Sequence, residues 1–386
     1  MSHKLTRRSL TEAAALAVLA LATGSALAQS KSPAVFVANN VSDQITSFRM
    51  NPDGTLTFVG NVATGDGPQA ISISPDGAFV AVAHGTQSVT TEEVRIFRVN
   101  PDASLTQVAL HLVPDSPLDL EWVTDRHLAV SETRSGASKV RIFEFDRNML
   151  WLIERSVQPA GSFHSSLAVH PNRRWVYAND TSNSRITIFE VQPNGSLTLL
   201  TDFGTPGFAV ELCISPDGRF LYGAGGIAGS GRNVHALRIR ADGSLEPIPG
   251  TPFQSPGASP SNVHVMPDGR HLFVGHGTDA TCWSFAINQQ TGEIASTGHM
   301  FDVGLQGTLG DIQALRQFMF VTDDSTAIDG ITGIYSFRVA LDGSFTQVAP
   351  IYNTGGTRPR PIATWDPTPR VHVPPANRLP FRILPR

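Results

Sequence analysis

The sequence predicts an all-β fold, a seven-bladed β-propeller of four-stranded antiparallel blades. Three observations predict this fold: a turn-centred hairpin that recurs along the chain, a period of about 48 residues between its copies, and a half repeat at each end. The two half repeats are complementary. The C-terminal strand would therefore complete the first blade and close the ring.

The recurring hairpin is clearest at residues 210–225, which read VELCISPDGRFLYGAG. Two short apolar runs flank a Ser-Pro-Asp-Gly turn, in which Pro216 fixes φ and Gly218 accepts the positive φ of a tight turn. Variants of this hairpin lie at residues 70–85, 118–133, 166–180, 211–226, 262–277 and 310–324. Each variant supplies the two inner strands of one blade.

A second hairpin supplies the two outer strands of every blade. Its apolar residues alternate with polar ones, which is the period of a half-buried strand. The stretch ITSFRMNPDGTLTFV at residues 45–59 is typical. The seven copies lie at residues 45–59, 94–108, 140–153, 186–200, 234–248, 282–296 and 334–348.

The ends of the repeat region each contain half of an inner hairpin. Residues 35–40 supply only the second strand of the first blade, and residues 360–367 supply the missing innermost strand. The propeller is therefore predicted as a single domain over residues 34–367.

Residues 1–28 are predicted to be an export signal. A twin-arginine pair, Arg7 and Arg8, precedes an Ala/Leu-rich run at 13–22 and a small-x-small cleavage pattern at 26–28. We expect cleavage and a periplasmic or secreted mature chain, with an uncleaved anchor as the alternative. Residues 368–386 hold five prolines, four arginines and no acidic residue. This composition predicts a tail that is disordered or laid on the surface, with a partner-binding arm as the alternative.

The charge of the mature chain argues against two classes of partner. Loss of Lys4, Arg7, Arg8 and Glu12 with the signal reduces 29 basic and 33 acidic residues to 26 and 32, a net charge of −6. Nucleic acid and, after signal cleavage, a membrane are therefore not expected partners. We expect a monomer. The two cysteines, at 213 and 282, fall in different repeats, which favours buried free thiols over a disulfide.

The expected site is the central funnel, where the starts of the innermost strands and the ends of the second strands share one face. Side chains from distant repeats converge there, so we expect a small-molecule ligand or substrate. A histidine can act as general base and an arginine can hold a carboxylate or an oxyanion. The predicted catalytic residues are His164, Glu211 and Arg360. The predicted substrate-binding residues are His84, Glu132, Asp180, His276 and Asp323. For each of them the alternative is a solvated loop residue.

The remaining motifs do not indicate a metal or a cofactor. The Asp-Gly pairs lack the alternating carboxylates of a calcium loop. The stretch GAGGIAGSG at residues 223–231 lies between two predicted strands with no helix after it, unlike a dinucleotide loop. No G-x-S-x-G or H-E-x-x-H motif is present in the sequence.

The SPDG hairpins, the Phe-containing third strands and the NPDGTLT-type turns together resemble the seven-bladed lactonase superfamily. Bacterial 6-phosphogluconolactonase and fungal carboxymuconate-lactonising enzymes belong to that family. The resemblance covers the whole propeller and is most specific at residues 263–274 (VHVMPDGRHLFV). It implies a funnel site with a histidine just before the innermost strand of blade 4, where this chain has His164.

Three charged positions of the family's site are replaced here. The Gly-Pro-Arg-His of the family's fifth blade corresponds to residues 209–211, so that Val210 and Glu211 stand for Arg and His. The Asn-Glu-Leu of the same blade corresponds to 225–227 (Gly-Gly-Ile), and the Asp-Arg of the sixth blade to 276–277 (His-Gly). Two hypotheses of function follow. One is an exported hydrolase of a lactone or cyclic ester, and the other is a non-catalytic propeller that binds a small ligand or a protein.

Overall fold

A computed structural model describes residues 32–85, 92–134, 136–205, 210–225, 231–303, 309–324 and 332–368, with backbone only at 164 and 165. The predicted export signal and the tail from residue 369 onward lie outside these residues. No helix in the described part is long and apolar enough to cross a membrane.

The described residues form 29 strands in seven antiparallel sheets. Blade 1 contains β1 (Ala34–Asn39), β2 (Gln44–Met50) and β3 (Leu56–Ala63). Blade 2 contains β4 (Pro68–Ile73), β5 (Phe79–His84), β6 (Glu93–Val99) and β7 (Leu105–Leu112). Blade 3 contains β8 (Ser116–Trp122), β9 (His127–Arg134), β10 (Ala137–Asp146) and β11 (Trp151–Gly161). Blade 4 contains β12 (His164–Val169), β13 (Trp175–Asp180), β14 (Arg185–Val191) and β15 (Leu197–Gly204). Blade 5 contains β16 (Glu211–Ile214), β17 (Phe220–Gly225), β18 (Asn233–Ile239), β19 (Leu245–Pro247) and β20 (Phe253–Gln254). Blade 6 contains β21 (Pro260–Val265), β22 (His271–His276), β23 (Thr281–Ile287) and β24 (Ile294–Asp302). Blade 7 contains β25 (Leu309–Leu315), β26 (Phe318–Asp323), β27 (Gly333–Val339) and β28 (Phe345–Gln347).

The last strand, β29 (Pro359–Trp365), belongs to blade 1 and closes the ring. It pairs antiparallel with β1, so that Ala34 lies opposite Trp365 and Asn39 opposite Pro359. The order of blade 1 is therefore β29-β1-β2-β3. The seven-bladed fold, the four-stranded blades and the closure predicted from the half repeats are confirmed; in blade 5 two short strands, β19 and β20, both pair with β18 and share the outermost place.

The second strand of each blade is buried along its whole length, except at the two ends of β9, because neighbouring blades cover both of its faces. In β5, Val80 and Val82 pack against β1 of blade 1, whereas Phe79, Ala81 and Ala83 pack toward β8 and β9 of blade 3. Alternation of side chains along a strand explains this division. The core is thus a series of apolar layers between adjacent blades, and polar residues are left for the ring's axis and its rim.

The Ser-Pro-Asp-Gly turns pack against the preceding blade. Gly77 in blade 2 has φ +70°, and a Cβ built on it would lie 2.0 Å from a ring atom of Trp365 in β29. Both its φ and its close contact therefore require glycine. Cys213 and Cys282 are free thiols, which agrees with the interpretation made from their positions in different repeats.

Most innermost strands carry a register shift close to their first residues. The shift lies between Pro68 and Ala70 in β4, and equivalent shifts occur in β8, β12, β21 and β25. An irregularity of this kind is a β-bulge, which re-aims the side chains on either side of it. Residues at the start of these strands therefore do not face the axis in simple alternation.

Candidate funnel site

Seven equivalent positions, one near the start of each innermost strand, face the axis of the ring, and we call these residues the axial ring. The residue that follows each of them is buried between blades, for example Leu120 and Ile312, so alternation turns the ring residue toward the axis. The axial ring consists of Ala70, Asp119, Ser166, Glu211, Asn262, Asp311 and Pro361.

Several ring side chains accept a hydrogen bond from the next innermost strand. Leu167 N donates to Asp119 Oδ2 at 2.6 Å, and Ile362 N donates to Asp311 Oδ2 at 2.7 Å. Leu212 N donates in the same way to the Ser166 hydroxyl at 3.1 Å. An innermost strand is the edge of its sheet, and its free N–H groups need acceptors. The ring therefore joins neighbouring blades around the axis.

Glu211 and Asn262 continue this pattern between blades 5 and 6. The Asn262 amide donates to Glu211 Oε2 at 2.9 Å and to the Gly310 carbonyl at 3.3 Å. Val263 N also donates to the Glu211 carboxyl. One side chain thus spans three successive blades, with Glu211 on one side and the segment before Asp311 on the other.

Burial raises the pKa of the ring carboxyls. It raises the pKa of Asp311 to about 7, and it raises those of Asp119 and Glu211 well above their usual range. Repulsion between carboxylates adds to this effect, since Asp311 raises the pKa of Glu211 and Glu121 raises that of Asp119. The ring therefore holds protons near neutral pH, where an exposed carboxylic acid would be ionised.

Two arginines share one buried carboxylate at the junction of blades 7 and 1. Arg358 Nε and Nη2 donate to the two oxygens of Asp324 at 2.9 and 3.1 Å, and Arg360 Nε lies 2.7 Å from Asp324 Oδ2. The side chain of Asp324 is fully buried, whereas those of Arg358 and Arg360 are 34% and 42% exposed. The Asp324 carboxylate raises the pKa of Arg358. We call this group the arginine pair.

The three predicted catalytic residues lie at different levels of the funnel mouth. Glu211 is in the axial ring. His164 lies two positions before the ring residue Ser166, on the far side of the bulge, and its backbone pairs with Asp180. Arg360 lies one position before Pro361 and contacts Asp324. The structure thus joins Glu211 to the ring and Arg360 to the arginine pair. The side chain of His164 is outside the described atoms.

The predicted substrate-binding residues all stand at or beside the buried end of a second strand. His84 Nε2 accepts from Gly65 N at 3.1 Å and lies 2.7 Å from the Thr64 hydroxyl. His276 Nε2 lies 2.7 Å from the Ser255 hydroxyl. Each histidine thereby fastens the loop that leads into its own blade. Burial lowers the pKa of His84 to about 3 and lowers that of His276, so both rings are neutral at neutral pH.

The acidic members of this set also make internal contacts. Glu132 bonds Arg141 through both oxygens, with Nη2 to Oε2 at 3.0 Å. Asp180 accepts from Ser162 N at 3.2 Å and from Arg185 Nε at 3.1 Å. Asp323 is buried at the end of β26. A structural role is visible for Glu132 and Asp180, and binding of a ligand by any of the five residues stays a prediction.

Alignment of the inner hairpins places Asp119 and Asp311 with Glu211 at the strand entries of the funnel, but the sequence indicates no specific role for these two residues. Sequence reasoning did not identify Arg358 or Asp324. Arg358 has a left-handed backbone with φ +57° in the segment before β29. Its contact with Asp324 joins residues 34 positions apart, and no local pattern indicates it. Among the described residues, no group of three or more His, Cys, Asp or Glu side chains is arranged to hold a metal ion.

A closed seven-bladed propeller with a polar axial ring is the class of protein that the fold and the site define. The family model of the seven-bladed β-propeller lactonases matches residues 5–122 and 136–309. The chain therefore belongs to the seven-bladed β-propeller lactonase family, as the resemblance of its hairpins predicted.

Named relatives agree with this family. The chain is 24% identical over 248 residues to the 6-phosphogluconolactonase of Klebsiella pneumoniae (strain 342), an alignment that covers 60% of this chain and 70% of that protein. The periplasmic gluconolactonase of Pseudomonas aeruginosa has a similar structure, with a TM-score of 0.68, 18% identity, and coverage of 86% of this chain and 98% of that one. At that identity the structural likeness shows the fold alone.

Proposed function

We propose that the protein hydrolyses a lactone or a similar cyclic ester at the mouth of the funnel. The observation that carries the proposal is the axial ring of a lactonase-family propeller, in which Glu211 and Asp311 hold protons near neutral pH. Hydrolysis of a cyclic ester needs a group that receives a proton from water and a group that supplies one to the leaving oxygen. Carboxyls with raised pKa values suit both tasks.

The residues take the following roles. His164 receives the proton as water adds its oxygen to the acyl carbon. Arg360 stabilises the negative charge that develops on the acyl oxygen. Glu211 carries a proton and donates it to the ring oxygen as the acyl C–O bond breaks. The product is an open-chain hydroxy acid, whose carboxylate contains the oxygen from water and whose hydroxyl contains the former ring oxygen.

The test is proton release by the purified mature chain, residues 29–386, against a panel of γ- and δ-lactones. We expect His164→Ala and Glu211→Gln each to lower kcat by about 10²-fold or more. His299→Ala is the matched control, because His299 lies in β24, the outermost strand of blade 6. Near wild-type turnover in both site variants would refute this assignment of roles. The absence of proton release by the folded wild-type protein with every lactone of the panel would refute the proposed hydrolase activity.

The alternative is a non-catalytic propeller that binds a small ligand or a protein partner. One observation favours it: the carboxyls of Asp119 and Asp311 each accept two backbone N–H groups, their own following residue and a residue of the next blade. These hydrogen bonds between blades give the two carboxyls a structural role that would explain their presence without any catalytic role. A lactone panel without turnover, together with a compound that raises the melting temperature, would favour the alternative.

We also propose that the mature chain is a monomer in the periplasm or outside the cell. The twin arginines and the small-x-small pattern of residues 1–28 support export. Mass spectrometry of the chain from fractionated cells tests this proposal. A new N-terminus at residue 29 in the exported fraction is expected, and an intact N-terminus in the cytoplasm would contradict it.

A further inference from the structure

The backbone positions of Arg358 and Arg360 are fixed before any ligand arrives. Asn40 N donates to the Arg358 carbonyl at 2.8 Å, and the Thr322 hydroxyl donates to the Arg360 carbonyl at 2.8 Å. A Cβ on Gly310 would lie 3.2 Å from the Arg360 Cα, so blade 7 approaches this strand closely. Groups that are held in place in advance lose little conformational entropy on binding.

The Arg358 guanidinium is oriented as well. Asp324 accepts two hydrogen bonds from Arg358, which set the plane of that fork, and Arg360 Nε forms an ion pair with the same buried carboxylate. The Nη1 groups of both arginines and Nη2 of Arg360 have no further partner among the described residues. A planar fork with free N–H groups is suited to a carboxylate or another oxyanion.

The balance of charge at the arginine pair is the opposite of that around two other arginines on this face of the propeller. Arg185 bonds two carboxylates, those of Asp180 and Asp202, and Arg141 likewise bonds both Glu132 and Glu154. At the arginine pair the ratio is reversed, because two guanidiniums meet one carboxylate. An anion would complete this cluster, whereas it would be repelled at the others.

We propose that the arginine pair is an anion site at the mouth of the funnel that binds the carboxylate of a hydroxy acid. The inference rests on the proposed function, since a hydroxy acid is what the opening of a lactone releases. The acidic ring residues Asp119, Glu211 and Asp311 face the axis below, so the carboxylate is held at the rim and the hydroxyl-bearing chain points toward the ring. The site would make the product an inhibitor that competes with the lactone.

The test is equilibrium binding of gluconate by the mature chain, measured by titration calorimetry, with sorbitol as the uncharged probe. Gluconate should bind, sorbitol should not, and added NaCl should weaken the binding of gluconate. Arg358→Gln and Arg360→Gln should each weaken it by about tenfold. Arg316→Gln is the matched control. Arg316 makes the same two-pronged contact, with Asp366, at 37% side-chain exposure on the opposite face of the ring.

One further variant keeps the test decisive if a neutral substitution impairs folding. Arg358→Lys keeps the charge and loses the fork, so it should weaken gluconate binding several-fold. Equal binding of gluconate and sorbitol, or an unchanged gluconate affinity in all three variants, would overturn the anion site. If gluconate binds but no lactone is turned over, the proposed hydrolase activity is refuted and the anion site is supported. Turnover without gluconate binding would overturn the anion site alone.

Discussion

Replacement of Asp311 by Asn should change how the stability of the propeller depends on pH. The pKa of Asp311 is raised from 3.8 to about 7, so the folded state holds a proton that the unfolded chain has released. A group with a raised pKa stabilises the fold fully below its unfolded pKa, and that contribution is lost as pH rises through the folded pKa. A shift of this size corresponds to about 4 kcal/mol, of which about 3 kcal/mol would be lost between pH 5 and 9.

The asparagine variant lacks the titrating proton, but it also lacks one acceptor. Both Asp311 oxygens accept a backbone N–H, from Ile312 at 2.6 Å and Ile362 at 2.7 Å, and an amide nitrogen cannot accept. We therefore expect Asp311→Asn to be less stable than wild type at pH 5 by about 1–3 kcal/mol. The difference should shrink or reverse by pH 9.

The assay is urea unfolding, followed by tryptophan fluorescence, at intervals between pH 5 and 9. Between pH 5 and 6 the curve of the variant should be shallower by about one proton, or about 1.3 kcal/mol per pH unit. Asp66→Asn is the control, because Asp66 is exposed in the loop before β4. A constant difference between wild type and Asp311→Asn at every pH would refute the assignment of a raised pKa to this carboxyl.

Two further predictions concern buried groups at the ends of second strands. The pKa of His84 is lowered from 6.5 to about 3, and a histidine with a lowered pKa reduces the stability of the fold as pH falls below the unfolded value. Between pH 7 and pH 5, His84→Gln should therefore lose about 2 kcal/mol less stability than wild type in the same urea assay, and an equal loss in the two proteins would contradict this. Arg141→Met leaves Glu132 buried without its cation and should cost about 3–5 kcal/mol in urea unfolding. The double variant Arg141→Met/Glu132→Met should recover much of that loss, and additive losses in the double variant would contradict the pairing.

The parts of the fold that the sequence predicted are those set by local chemistry. Each Ser-Pro-Asp-Gly turn combines a proline that fixes φ with a glycine that accepts a positive φ, and Gly77 and Gly218 have φ values of +70° and +74°. Such turns fix where strands begin and end. The strand pattern then determines which faces are apolar, and the half repeats at residues 35–40 and 360–367 require closure.

The site was less predictable because its residues depend on register and on contacts between blades. His164 lies before the bulge of β12, whereas Glu211 begins β16, which has no register shift. The two residues therefore belong to different levels, although both begin an innermost strand. The contact of Asp119 with Leu167 joins residues 48 positions apart, and its partner is a backbone N–H that no side-chain pattern reveals. Asp324 ends an inner hairpin, and its partner Arg358 lies 34 positions further on in the segment before β29.

The closure of blade 1 also determines how the ring responds to a pulling force. β1 and β29 are antiparallel, and the two ends of the described chain emerge at the same end of this pair, where Ala34 lies opposite Trp365. Tension on both ends would load the hydrogen bonds of the pair one after another, as in opening a zipper, so that each step opposes the force with about 1 kcal/mol. Blade 1 is therefore the mechanically weakest point of the ring, and pulling the chain by its ends would separate β1 from β29 first.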